Sequence, residues 1–97
     1  MRILSIRALR DFWERENNSE EVLRDLYRKL SRIEPRNLAE LKYVFPAVDL
    51  VGKCYVFNVG GNKYRVITRI HFNRQMLFIR KVLAHSKYDR DKWKAEC

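Results

Sequence analysis

Between Leu50 and Tyr88 the chain contains no aspartate or glutamate, although eight lysines and arginines fall there: Lys53, Lys63, Arg65, Arg69, Arg74, Arg80, Lys81 and Lys87. Solvated surfaces ordinarily mix the two signs of charge, and a one-signed stretch points to a polyanionic partner. Cysteine is also scarce. Cys54 and Cys97 form no CxxC or Cys/His spacing, which argues against a metal site and suggests incidental thiols in a cytosolic protein. No apolar run approaches the roughly 20 residues of a membrane span. The opening "MRILSIRALRDFW" is interrupted by arginines and does not read as a signal peptide. Only three glycines and two prolines are present, too few for a low-complexity or linker segment.

What is there fits one domain over residues 1–97, with 46% hydrophobic residues, enough for a small core without cross-links. The formal net charge of +9 is unevenly placed. Residues 1–50 carry ten Lys/Arg against nine Asp/Glu, whereas residues 51–97 carry eleven against three.

Apolar spacing divides the chain in the same place. "RILS" (Arg2–Ser5) suits a short first strand. Ile6, Leu9 and Trp13, with Ala8 and Phe12 beside them, recur at helical intervals. "ENNS" (Glu16–Ser19) interrupts that pattern, and Ser19 is placed to cap a second helix. Glu20 and Glu21 in its first turn suit the helix dipole. Val22, Leu26, Leu30 and Ile33 form its apolar stripe, and Pro35 sets its end. The two helices are expected to form a hairpin. "NLAELKYVFP" (Asn37–Pro46) holds one further helical turn.

After Gly52 the period changes to two. "CYVFN" (Cys54–Asn58), "YRVITRIHF" (Tyr64–Phe72) and "MLFIRKVL" (Met76–Leu83) read as strands. Two-residue turns at Gly60-Gly61 and Asn73-Arg74 join them. These turns put Tyr55, Phe57, Tyr64, Val66, Ile70, Leu77 and Ile79 on an apolar face. The opposite face receives Asn58, Lys63, Arg65, Ile67, Arg69, His71, Phe78 and Arg80. Basic groups interleaved with an aromatic on an open sheet face suit RNA, since guanidinium groups hold phosphates and rings stack on bases.

The run from Tyr55 to Lys94 resembles the C-terminal half of HigB-family toxins, members of the RelE-like superfamily. "FNVGGNKYR", the "HFN" turn, the "IRKV" strand and "HSKYD" occur in the family's order and spacing, and "LKYVFPAVDLVGKCYVFN" fits as the lead-in. The resemblance implies an α+β, RelE-like fold: an N-terminal helical hairpin packed on a small, mainly antiparallel twisted sheet. It implies the toxin of a type II toxin–antitoxin pair, cutting mRNA in the ribosomal A site. Its neutralising partner would be a HigA-type antitoxin with a helix-turn-helix DNA-binding domain.

Cleavage by the 2′-OH needs a base, a positive group for the phosphorane, an acid for the departing 5′-oxygen and an aligned substrate. It requires neither metal nor cofactor. Arg65 matches the family's arginine on the strand after the turn and is the first candidate to stabilise the transition state; Arg80 is the second. His85 and Tyr88 match the family's "H-x-x-YD" ending. An imidazole, with an ordinary pKa of about 6.5, is suited to acid or base work near neutrality. Tyr88 is a candidate to stack on the scissile nucleotide or share the proton work. Lys53, Lys63, Arg69 and Lys87 are candidates for the RNA backbone. Cys54 is assigned to the core, Trp13 and Trp93 to packing, and His71 to hairpin scaffolding. Charge alone would equally suit a non-catalytic RNA- or ribosome-binding module, or a basic face that engages an acidic protein. His85 with Arg65 and Tyr88 separates toxin from binder, because a binder has no use for a titrating group.

Overall fold

A computed structural model of the chain describes residues 1–85 and 92–97. Strand β1 (Arg2–Leu4) leads into helices α1 (Arg7–Arg15), α2 (Glu20–Arg32) and α3 (Leu38–Val44). Four strands follow: β2 (Asp49–Val51), β3 (Cys54–Val59), β4 (Tyr64–His71) and β5 (Met76–Ala84). The sheet order is β1-β5-β4-β3-β2. β1 runs parallel to β5 and every other pair is antiparallel. The architecture is the α+β arrangement expected. Among the described residues no helix is long and apolar enough to cross a membrane.

The helical spacing becomes burial. Leu9, Phe12 and Trp13 of α1 and Leu23, Leu26 and Leu30 of α2 are buried against Phe57, Tyr64, Val66, Leu77 and Ile79 of the sheet. The seam of α2 is turned slightly from the expected stripe, with Leu23 at its centre and Val22 and Ile33 at its margins. Phe12 meets the Tyr64 ring edge-on, 5.6 Å between centres, which ties α1 to the start of β4. Arg24 of α2 lies 4.7 Å from the centre of the Trp13 ring, covering the hairpin seam by a cation–π contact.

Several local expectations change. Ser19 occupies the N-cap of α2 but does not cap it, because its Oγ donates backwards to the Glu16 carbonyl at 2.6 Å. The side-chain cap belongs instead to α3, where Asn37 Oδ1 accepts from the Glu40 amide at 2.9 Å. The first hairpin turn is longer than two residues. Val59 pairs with Tyr64, so residues 60–63 form the loop. Gly60, Gly61 and Asn62 all have positive φ, at 64°, 62° and 72°. Lengthening by two residues, an even number, leaves the faces of β3 and β4 as expected. The β4–β5 register is also as expected at its start, His71 opposite Met76. A bulge then intervenes. Ile67 faces Lys81 while Thr68 faces Ile79, leaving Arg80 as the extra residue.

The outer face of the sheet is not open along its length. Cys54, Val56, Ile67 and Trp93 form a second buried cluster there, with Val51, Leu83 and Cys97 packed against it. The thiols are not incidental. Cys54 and Cys97 form a disulfide, joining positions whose sequence separation of 43 gives no local signal.

Leu30 is completely buried, whereas Leu50 of the edge strand β2 is 45% exposed. Leu30→Ala should therefore cost about 2–5 kcal/mol in urea unfolding. Leu50→Ala should stay within about 0.5 kcal/mol. Equal costs would contradict this placement of the core.

Candidate active site

Arg65 sits on β4, opposite Asn58 of β3 and Leu83 of β5, on the face away from the helices. It is only 8% exposed. A buried guanidinium must find acceptors, because desolvating an unpaired charge is costly. The turn supplies two: Nη1 donates to the Asn62 carbonyl at 2.9 Å and to the Tyr64 carbonyl at 3.3 Å. Nη2 lies 3.2 Å from Nδ1 of His85.

Arginine has donors and no acceptor. In this contact Nη2 is therefore the donor and Nδ1 of His85 the acceptor. The His85 backbone amide donates to the Lys63 carbonyl at 2.9 Å, so the 60–63 turn grips both members of the pair. The His85 residue is solvent-exposed. A fixed positive charge thus stands beside an accessible group capable of proton exchange. Such an arrangement can stabilise charge on a phosphorane and move a proton nearby.

The comparisons with known proteins bear on this geometry. Residues 19–91 match the model of the HigB toxin family, described as the RelE-like toxic component of a toxin–antitoxin system. The chain belongs to the HigB toxin family. It is 35% identical over 92 residues to the mRNA interferase toxin HigB of Escherichia coli strain K12, covering 92% of this chain and 88% of that protein. The mRNA interferase HigB of Shigella flexneri matches at the same identity and coverage. The mRNA interferase HigB of Escherichia coli O6:H1 is 30% identical over 93 residues, covering 93% of this chain and 90% of its own.

In this HigB-family toxin the structure brings together Arg65, His85 and the exposed Lys63 of the turn. Other expected residues lie apart. Arg69 is four positions along β4, about 13 Å away at the rise of a strand, and faces Phe78. Arg80 is exposed at the bulge, beside the Ile67–Thr68 junction. Lys53 is exposed in the β2–β3 turn, where its amide donates to the Cys97 carbonyl at 2.8 Å. The basic face is therefore divided by the apolar cluster around Trp93. Tyr88 and Lys87 lie outside the described residues. His71 stacks edge-on to Phe78 at 5.7 Å. Among the described residues no group of three or more His, Cys, Asp or Glu could hold a metal ion.

The sequence reading overlooked Asn62. Its carbonyl anchors Arg65, and its positive φ places that carbonyl. The signal was present: asparagine directly after two glycines is among the few residues that tolerate the left-handed region.

Lys63 stands beside the pair with no role in its hydrogen bonding other than through its backbone carbonyl. Lys63→Ala should weaken RNA binding without altering the fold. It should also reduce the slope of log affinity against log salt by about 0.7, the contribution of one single-strand phosphate contact. Titrations across a salt series check this, and an unchanged slope would place the RNA elsewhere.

Proposed function

We propose that Arg65 and His85 are the reacting pair of an mRNA endoribonuclease. The function follows from membership of the HigB toxin family and from 35% identity, over 92% of the chain, to an mRNA interferase toxin. The observation that carries the residue assignment is the 3.2 Å contact between Arg65 Nη2 and His85 Nδ1.

In the proposed reaction the 2′-oxygen of the RNA loses its proton to a base and attacks the adjacent phosphorus. Arg65 offsets the charge that gathers on the phosphorane, acting as a preorganised donor whose orientation the turn has already fixed. The bond to the 5′-oxygen breaks as that oxygen gains a proton. The products are a 2′,3′-cyclic phosphate and a free 5′-hydroxyl. His85 is assigned a proton-transfer step, because the residue is exposed and its ring lies against the Arg65 guanidinium. Arg80, Lys53, Lys63 and Arg69 are assigned to the RNA backbone. Tyr88 and Lys87 keep their expected roles, nucleotide stacking or proton transfer for Tyr88 and RNA-backbone contact for Lys87.

An antitoxin partner and an RNA substrate follow from the family. We assign the finer details as proposals: a HigA-type antitoxin with a helix-turn-helix domain, action at the ribosomal A site, and a cytoplasmic location. They rest on the resemblance and on the acid-free run from Leu50 to Tyr88.

His85→Gln tests the chemistry. Glutamine can still accept from Arg65 but cannot exchange a proton near neutrality. Single-turnover mRNA cleavage should fall about 10²–10⁴-fold, while ribosome affinity changes less than about twofold, as expected when an interaction acts only in the transition state. Cleavage at the wild-type rate would remove His85 from the mechanism. Arg65→Ala should likewise relieve the growth arrest caused by the toxin. A folded variant that still arrests growth would overturn the assignment of Arg65.

A further inference from the structure

Residues 92–97 fold back over the outer face of the sheet, held by several different contacts. Trp93 is buried to 3% exposure with Val56 and Ile67. The Lys53 amide donates to the Cys97 carbonyl at 2.8 Å. Lys81 pairs with Glu96 at 3.2 Å. Cys97 is bonded to Cys54 of β3. The β2–β3 turn is shaped to receive this end: a Cβ on Gly52, whose φ is +59°, would stand 2.7 Å from the Cys97 carbonyl oxygen.

The seat of this clasp adjoins the candidate site. Ile67 follows Arg65 at the next position on the same face of β4. Leu83, which packs on the cluster, is the residue paired with Arg65 across β4 and β5. The surface that carries the guanidinium is continuous with the surface under Trp93. Besides the disulfide, the described contacts that tie this segment to the sheet include the Trp93 ring, the Lys53–Cys97 backbone hydrogen bond and the exposed Lys81–Glu96 ion pair, the last worth little.

An enzyme acting on mRNA works among cellular thiols, where the disulfides that form are typically transient, catalytic or redox-sensing. We propose that the Cys54–Cys97 disulfide is a redox-controlled positioning element for the toxin's site. When formed, it seats Trp93 on Val56 and Ile67 and holds Arg65 in register with His85. When opened, it frees the clasp and slows turnover. The proposal rests on the reading of Arg65 and His85 as the reacting pair.

The opening reaction is thiol–disulfide exchange with a dithiol, such as a thioredoxin-class protein or dithiothreitol. Cys54 is 1% exposed and Cys97 only partly buried, so the incoming thiolate attacks Cys97 Sγ and the Cys54 thiolate leaves. The reductant's second thiol then attacks the mixed disulfide. The products are two protein thiols and one oxidised dithiol; two electrons and two protons have passed to the protein.

The experiment compares the purified full chain before and after dithiothreitol, with free thiols counted by mass spectrometry and folding followed by circular dichroism. The expected result is a fall in kcat of about tenfold or more, of the kind that misplacing a reacting group produces, with KM changed less than about twofold. Reoxidation should restore the rate. Cys97→Ser should show the slow rate with or without reductant, and Trp93→Ala should be slow even when oxidised. An unchanged or raised rate in the fully reduced protein would overturn the proposal, as would a Cys97→Ser variant as fast as the oxidised wild type. Global unfolding on reduction would also overturn it, by making the bond a staple of the whole fold. His85→Gln and Arg65→Ala are measured in the oxidised state. If either cleaves normally, the site reading falls by itself, and the response of the wild type to reductant then decides whether the clasp controls turnover.

Discussion

A guanidinium cannot be buried beside a sheet unless something accepts its hydrogen bonds, and much of the architecture around Arg65 serves that requirement. Carbonyls from Asn62 and Tyr64 point at Nη1 because three consecutive residues, Gly60 to Asn62, adopt positive φ. That backbone conformation is cheap only for glycine and, to a lesser degree, asparagine. The same turn offers the Lys63 carbonyl to the amide of His85. Substituting either end of the arrangement therefore disturbs both functional side chains, although neither glycine touches them. The core takes part through Tyr64, whose ring is held by Phe12 of α1 while its carbonyl holds Arg65.

Alternation was enough to read most of the sheet from sequence. β3, β4 and the first part of β5 follow a two-residue period, and the residues assigned to the inner face all lie in or against the main core. β2 was missed because three residues, Asp49–Val51, are too few to establish a period. The bulge at Arg80 left no compositional trace, since Arg80-Lys81 looks alike whichever residue is extra. It matters because it resets the register: Leu77 and Ile79 point inward before it, Val82 after it. The pairing of Cys54 with Cys97 is a tertiary event, set by where residues 92–97 come to rest and invisible in any local spacing.

The site was legible in part for the same reason. Arg65 and Lys63 follow a strong turn signal, and His85 ends a strand, so both could be placed on elements. Their convergence depends on the β4–β5 ladder bringing Leu83 opposite Arg65, which puts His85 beyond the end of β5 and next to the turn. Sequence alone also overestimated the open basic face. Ile67 read as one apolar residue among cations, yet with Val56 across the ladder it forms the floor on which Trp93 lies.

The two halves of the chain also differ in how they use charge. In the helical half three acids are engaged locally: Glu20 with Arg24, Asp25 with Lys29, and Glu40 with Arg36, each four residues apart. The hydrogen bond from Lys29 holds the Asp25 carboxyl below its ordinary range, and that from Arg36 does the same for Glu40. A depressed carboxylate stabilises the fold above its unfolded pKa and loses that contribution only as pH falls through the lower folded value. These pairs are exposed and individually weak, and the depressed carboxyls of Asp25 and Glu40 titrate to the acid side of the ordinary carboxylate range. The helices that support the sheet therefore keep their ion pairs throughout the range in which an imidazole ordinarily changes charge. Loss of these helical ion pairs is therefore not the source of a change in cleavage rate near neutrality.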